Sequence, residues 1–205
     1  MTNFASNFKD LRFEDIASLK PRDRILKTAI ILFNERGVHT VGIDRIIAES
    51  GVSKRTFYNY FPSKADLIAA YLDFWHVLRF TNLNKYAARV GGDPQAELLA
   101  IFDFLEYWFS EQDFRGCAFA RGLNDFNDDA SKILRAKVSL HFDEWANFIM
   151  FRLSQLLEPD RADVVLPQFL SLITGTTVVA HASGNIKIAQ LNKQIAEALL
   201  SGRVI

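Results

Sequence analysis

The chain has 205 residues, 49% of them hydrophobic and 23% charged, a balance that supports a packed core and excludes extensive disorder. Formal net charge is zero, but it is unevenly distributed: residues 1–64 carry eleven Lys and Arg against seven Asp and Glu, and the remainder thirteen against seventeen. A basic head on an acidic body directs the head towards a polyanion.

Residues 1–20 lack the apolar run of a signal peptide, and Phe4, Phe8 and Leu11 stand at helical spacing, which suits a short docked helix. Ile25, Ala29, Leu32 and Phe33 then follow i, i+4, i+7, i+8, and Gly37 closes that helix. Ile43, Ile46 and Ile47 line a short second helix ending at Gly51. A third begins at Ser53 and stops near Pro62, because proline disfavours helix in the residue before it. Ser63 caps a long fourth helix with Leu67, Ile68, Tyr71, Leu72, Trp75 and Leu78 on its apolar side.

Gly91-Gly92-Asp93-Pro94 is a strong break, with Asp93 as N-cap and Pro94 as the first helical residue of an aromatic helix over about 95–112. Residues 114–129 are rich in Gly, Asn and Asp, and predict a loop with at most a short helix. Long helices follow over about 130–157, ended by Pro159, then 161–181 and 186–200. The fold class expected is all-α with about nine helices: a three-helix head in residues 1–66, and a helical body in 67–205.

The densest information lies in Val41–Lys64. Two short helices meet at Glu49-Ser50-Gly51-Val52, where Gly51 can take the positive φ of a tight inter-helix turn. Ile43, Ile46, Ile47, Val52, Phe57 and Phe61 form the inner side. Lys54, Arg55, Thr56, Tyr58, Asn59 and Tyr60 then point outward, a set of cationic, amide and hydroxyl groups that suits phosphate oxygens and major-groove base edges. Ser53 places a helix N-terminus beside them, and Arg45 and Lys64 supply further cations for the backbone.

This stretch resembles the TetR family of regulators. The matching pattern runs through Arg24-Ile25-Leu26, Ala29, Leu32-Phe33, Gly37, Ile46-Ile47-Ala48, Gly51-Val52-Ser53-Lys54, Phe57-Tyr58, Tyr60-Phe61, Ser63-Lys64 and Leu67, about fifty residues. Beyond them the likeness is one of length and helix count. The resemblance implies that the third helix enters the major groove and that Tyr58, Tyr60 and Lys64 touch the phosphate backbone. Gly42 stands where the family often has a Ser or Thr that meets a phosphate, so only a backbone contact is expected there. Arg55 stands where many members have Gly, and is the candidate for a bidentate contact to guanine.

In the body, Phe102, Tyr107, Trp108, Phe119, Phe142, Trp145, Phe148, Phe151 and Phe169 are either plain core or walls of a cavity for a small apolar or aromatic effector. Arg121, Asn124, His141 and His181 are its possible polar handles, and His141 fits an exposed helix position equally well. The single cysteine, Cys117, excludes an intramolecular disulfide and suits a reducing cytoplasm; Arg115 nearby would favour its thiolate, though a buried inert thiol is the commoner case.

Val164–Gly184 has no charged residue, yet Pro167, Gln168, Thr174, Gly175 and His181 make it too polar for a lone membrane span. Pairing with a second copy through the last two helices resolves this, as an isologous four-helix bundle. Metal-ligand spacing, a phosphate loop and a nucleophile motif are absent from the sequence, so no cofactor and no enzymatic activity are expected.

The function expected is a homodimeric repressor, bound to a palindromic double-stranded operator and released by its effector. The alternative is a helical interaction or scaffold protein of the same fold that does not read DNA.

Overall fold

The computed structural model describes residues 16–112, 114–126 and 131–202; the expected helix of residues 1–15 lies outside them. Among the described residues a 3-10 turn at Ile16–Ser18 is followed by nine α-helices: α1 Pro21–Arg36, α2 Ile43–Ser50, α3 Lys54–Tyr60, α4 Lys64–Ala88, α5 Pro94–Phe109, α6 Ala118–Asp125, α7 Lys132–Leu153, α8 Pro159–Ser183 and α9 Ile188–Ser201. Among the described residues no strand interrupts them. Among the described residues packing gathers two compact units, one of residues 16–79, 118–126 and 131–139, the other of 80–112, 114–117 and 140–202. Helices α4 and α7 each supply residues to both units.

In the N-terminal unit, α1 packs against α2 and α3, and α2 against α3. Pro21 opens α1 at a position where its missing N–H costs nothing. Gly37, at φ 81°, ends it, its N–H donating to the Phe33 carbonyl. Ile25, Leu26, Ala29, Ile30, Leu32 and Phe33 are buried, the spacing that the apolar positions predict. From α4, Leu67, Ile68, Tyr71, Leu72 and Trp75 complete this core, with Phe33 edge-on to Tyr71 at 5.5 Å.

The stretch 114–129, expected as loop with at most a short helix, contains the short helix α6, which belongs to this unit. Arg121 donates to the Asn34 carbonyl at 3.5 Å and to the Tyr71 hydroxyl at 3.4 Å. His76 lies edge-on to Phe119. A Cβ on Gly122 would come within 2.9 Å of the Phe126 ring and 3.0 Å of Val138, so this glycine allows the close approach of α6 to its neighbours.

In the C-terminal unit, α9 packs on α5 and α8, and α5 on α8. Asp93 caps α5 by accepting from the Ala96 N–H at 2.9 Å. The core joins Leu98, Ile101, Phe102 and Leu105 of α5 to Ile149 of α7, Phe169 and Ile173 of α8 and Ala196 of α9. Polar ties frame it: Lys193 donates to both Asp103 carboxylate oxygens, Arg152 pairs with Glu97 at 2.6 Å, and Arg161 donates to the last carbonyls of α9, those of Leu199 and Leu200.

Helix α8 is the one helix among the described residues long and apolar enough to cross a membrane by length and composition. It lays Ala162, Val165, Phe169, Ile173 and Ala180 into the core instead. Its Val164, Val178 and Val179, with Leu191 and Ile195 of α9, stay between 38% and 58% exposed.

Candidate nucleic-acid interface

The helix-turn-helix is built from α2, the turn at Gly51 and α3. Gly51 adopts φ 64°, ψ 30°, the left-handed conformation that a side chain disfavours. Its carbonyl accepts from the Arg24 guanidinium at 2.9 Å, so α1 holds the turn directly. Arg24 belongs to the family pattern, but its spacing in the sequence does not disclose this bond. Ser53 has extended backbone and accepts from the Thr56 N–H at 3.1 Å, the N-cap bond of α3. The second helix begins after Gly42, which has no side chain to supply a cap or a phosphate contact.

Phe57 and Phe61 are buried, 6.2 Å apart ring to ring, and fasten α3 to the core. Lys54, Arg55, Tyr58, Asn59 and Tyr60 are exposed; Thr56 is half-buried, its hydroxyl hydrogen-bonded to Ser53. Lys54, Arg55, Tyr58 and Asn59 thus share one face of a seven-residue helix, while Tyr60 stands exposed off that arc in its last turn. Arg45 lies exposed on α2 and pairs with Glu49 one turn on, at 2.6 Å. Lys54 lies 3.6 Å from the Asp44 carboxylate. Both acids escaped the sequence-based site assignment. The Arg45/Glu49 spacing of four was the available signal for one pair; the Asp44–Lys54 pair needs the tertiary turn.

Lys64 is half-buried in the first turn of α4, and burial holds its ammonium below the usual lysine pKa. Ser63 caps that turn by accepting from the Asp66 N–H. Arg22 stacks over Phe61 at 5.5 Å and is an exposed cation that the sequence pattern did not single out.

The effector candidates separate. Phe102, Trp108, Trp145 and Phe169 are buried in the C-terminal core, where Phe102 meets Phe169 edge-on at 6.4 Å. Tyr107 and Phe148 are half-buried, the latter under the Arg152 guanidinium at 3.4 Å; Phe142 is also half-buried. Phe151 is 67% exposed, and Phe119 belongs to the N-terminal unit.

Of the polar candidates, His141 is buried rather than exposed: Trp145 donates to its Nε2 at 3.3 Å, and Phe80 lies 5.5 Å away. Its place on the inner side of α7 follows from the helical phase it shares with Trp145. His181 is exposed beside Phe114, while Arg121 and Asn124 belong to the N-terminal unit. Cys117 is half-buried against the C-terminal core. Among the described residues, no three His, Cys, Asp or Glu side chains converge as a metal site.

The family model for bacterial regulatory proteins, tetR family, matches residues 25–71. An uncharacterized HTH-type transcriptional regulator of Mycobacterium tuberculosis is 27% identical over 192 residues, covering 88% of this chain and 95% of the relative. The HTH-type transcriptional activator FasR of Mycolicibacterium smegmatis is 36% identical over 90 residues, 42% of this chain and 41% of that protein. Among solved structures, a TetR-family transcriptional regulator from Streptomyces coelicolor superposes with a TM-score of 0.81 at 26% identity, over 89% of this chain and 95% of that one.

Proposed function

We propose a mode of action for this chain on one premise: it belongs to the TetR family of transcriptional regulators. It binds DNA as a homodimer, with α3 of each subunit in a major groove of a palindromic operator. The observation that carries this is the two-sided α3: Phe57 is buried beneath it, and Lys54, Arg55, Tyr58, Asn59 and Tyr60 stand in water above it. Arg55 reads guanine through a bidentate contact, and Tyr58, Tyr60, Lys54, Lys64 and Arg45 take phosphates. Ser53, Thr56 and Asn59 complete the contact surface.

The exposed Val164, Val178, Val179, Leu191 and Ile195 support self-association through α8 and α9, since a twofold pair of heads needs a twofold interface. Replacing Val178 and Leu191 together by Glu is expected to give monomers in analytical ultracentrifugation and to weaken operator binding. A variant that stays dimeric removes this face from the interface.

We propose further that the protein is a repressor released by a small apolar or aromatic effector held in the aromatic body. Support comes from the Phe, Tyr and Trp side chains around Phe102 and Phe169, and from α4 and α7, which supply residues to both units. Release requires the effector to bind the two states with different affinity.

The test is a salt titration of the whole protein on a duplex selected from a random pool. Six or more phosphate contacts over two heads imply a loss of about 10³-fold in affinity between 50 and 200 mM salt. Weak, salt-independent association would favour an interaction protein that no longer reads DNA.

A further inference from the structure

We infer that Asp44 and Glu49 act as built-in counter-charges that hold down sequence-independent DNA binding, an inference that rests on the DNA-reading face proposed above. The helix-turn-helix and the first turn of α4 hold four cations of the proposed face: Arg45, Lys54, Arg55 and Lys64. Two of them are already engaged. Glu49 accepts from the Arg45 guanidinium at 2.6 Å, and the Asp44 carboxylate lies 3.6 Å from the Lys54 ammonium. All four partners are exposed, with Asp44 the most open of them at 88% of its side chain.

These carboxylates therefore share the surface that is to approach a polyanion. Each is repelled by phosphate, and each offers its cation a competing partner. Neither supports the fold appreciably, because exposed ion pairs are weak and readily exchanged. Their effect is on the charge that a head presents: two cations to phosphate instead of four.

Sequence-independent binding is almost entirely phosphate electrostatics. Halving the available charge therefore strikes hardest at DNA that is not the operator, where no base contact compensates. Asp44 and Glu49 are thus specificity-determining residues that need not touch a base. They leave the base contacts of α3, Arg55 above all, to decide where the protein stays.

The experiment compares the wild-type chain with Asp44→Asn, Glu49→Gln and the double variant on a random-sequence duplex across 50–200 mM salt. Asp143→Asn, an exposed acid of α7, controls for the change in net charge. Every cation released steepens the log–log salt slope by about 0.9, so each substitution adds about 1.8 in a two-headed complex and enlarges the loss across that salt range by about 12-fold. The expected result is tighter random-duplex binding at 50 mM and this steeper slope for each single variant, twice the change in slope for the double variant, and an unchanged control. A steep wild-type slope that neither substitution alters overturns the inference and leaves the DNA-reading face standing. A flat slope in every variant, wild type included, overturns both.

Discussion

Replacing Lys54, Arg55 and Tyr58 together by alanine is expected to abolish operator binding while the protein stays folded. The three side chains leave α3 on its water side; Tyr58 is 41% exposed, and neither cation is buried. Alanine is the strongest helix former, so α3 itself is not weakened. Exposed substitutions of this kind shift stability by no more than about 0.5 kcal/mol each. Binding responds differently. One bidentate arginine–guanine contact is worth about 1–3 kcal/mol of discrimination. Two lost phosphate contacts add to that, and both heads of a dimer lose them. The combined loss is on the order of 10³-fold or more in affinity, at about 1.4 kcal/mol per tenfold. A gel-shift titration at fixed salt measures it, with circular dichroism on the same samples. Retained affinity in a folded triple variant would remove these residues from the interface.

Phe57→Ala is expected to remove DNA binding by the opposite route. Phe57 is fully buried beneath α3, edge-on to Tyr58 at 5.3 Å and packed near Phe61. Truncating a buried phenylalanine costs about 3–5 kcal/mol, since the transfer energy is lost and a cavity remains. A seven-residue helix has no independent stability to offset this. Because whole domains are stable by only about 5–15 kcal/mol, the N-terminal unit loses much of its margin. Urea unfolding should show the midpoint falling sharply, with DNA affinity recovering as temperature is lowered. Phe57→Leu should recover most of the loss. A cost under about 1 kcal/mol would mean that α3 is held by other residues. Set beside the triple variant, this pair separates what α3 does to DNA from what holds α3 in place.

Much of the fold was legible because its determinants are local. Gly37 and Gly51 end helices by taking backbone angles that other residues disfavour. Asp93 with Pro94, Ser53 and Ser63 mark helix starts through groups whose roles need only three residues of context. The division of α3 into Phe57 and Phe61 below and a polar set above follows from helical periodicity alone. The match of residues 25–71 to the tetR-family model was legible for the same reason: its pattern is short, dense and confined to consecutive helices.

What sequence could not disclose depends on partners far along the chain. Residues 114–129 read as loop with at most a short helix because Gly, Asn and Asp are frequent there; the packing of that helix was not legible, since Arg121 reaches Asn34 and Tyr71, and Gly122 clears space for Phe126 and Val138. His141 read as ambiguous because its neighbours are one aromatic and one acid; the phase of α7 against Phe80 and Trp145 buried it. Arg24 on the Gly51 carbonyl, and Asp44 beside Lys54, exist only once α1, α2 and α3 have closed.

Periodicity, caps and turn residues therefore determined by themselves that the chain is helical, where most helices start and stop, and which face of α3 meets water. Tertiary structure alone decided which aromatics share a core, that α6 packs with the N-terminal unit, and that Lys54 sits beside the Asp44 carboxylate. The physical reason is range. Backbone preference and side-chain phase act over one or two turns, whereas burial and ion pairing depend on groups brought together only when the chain has folded.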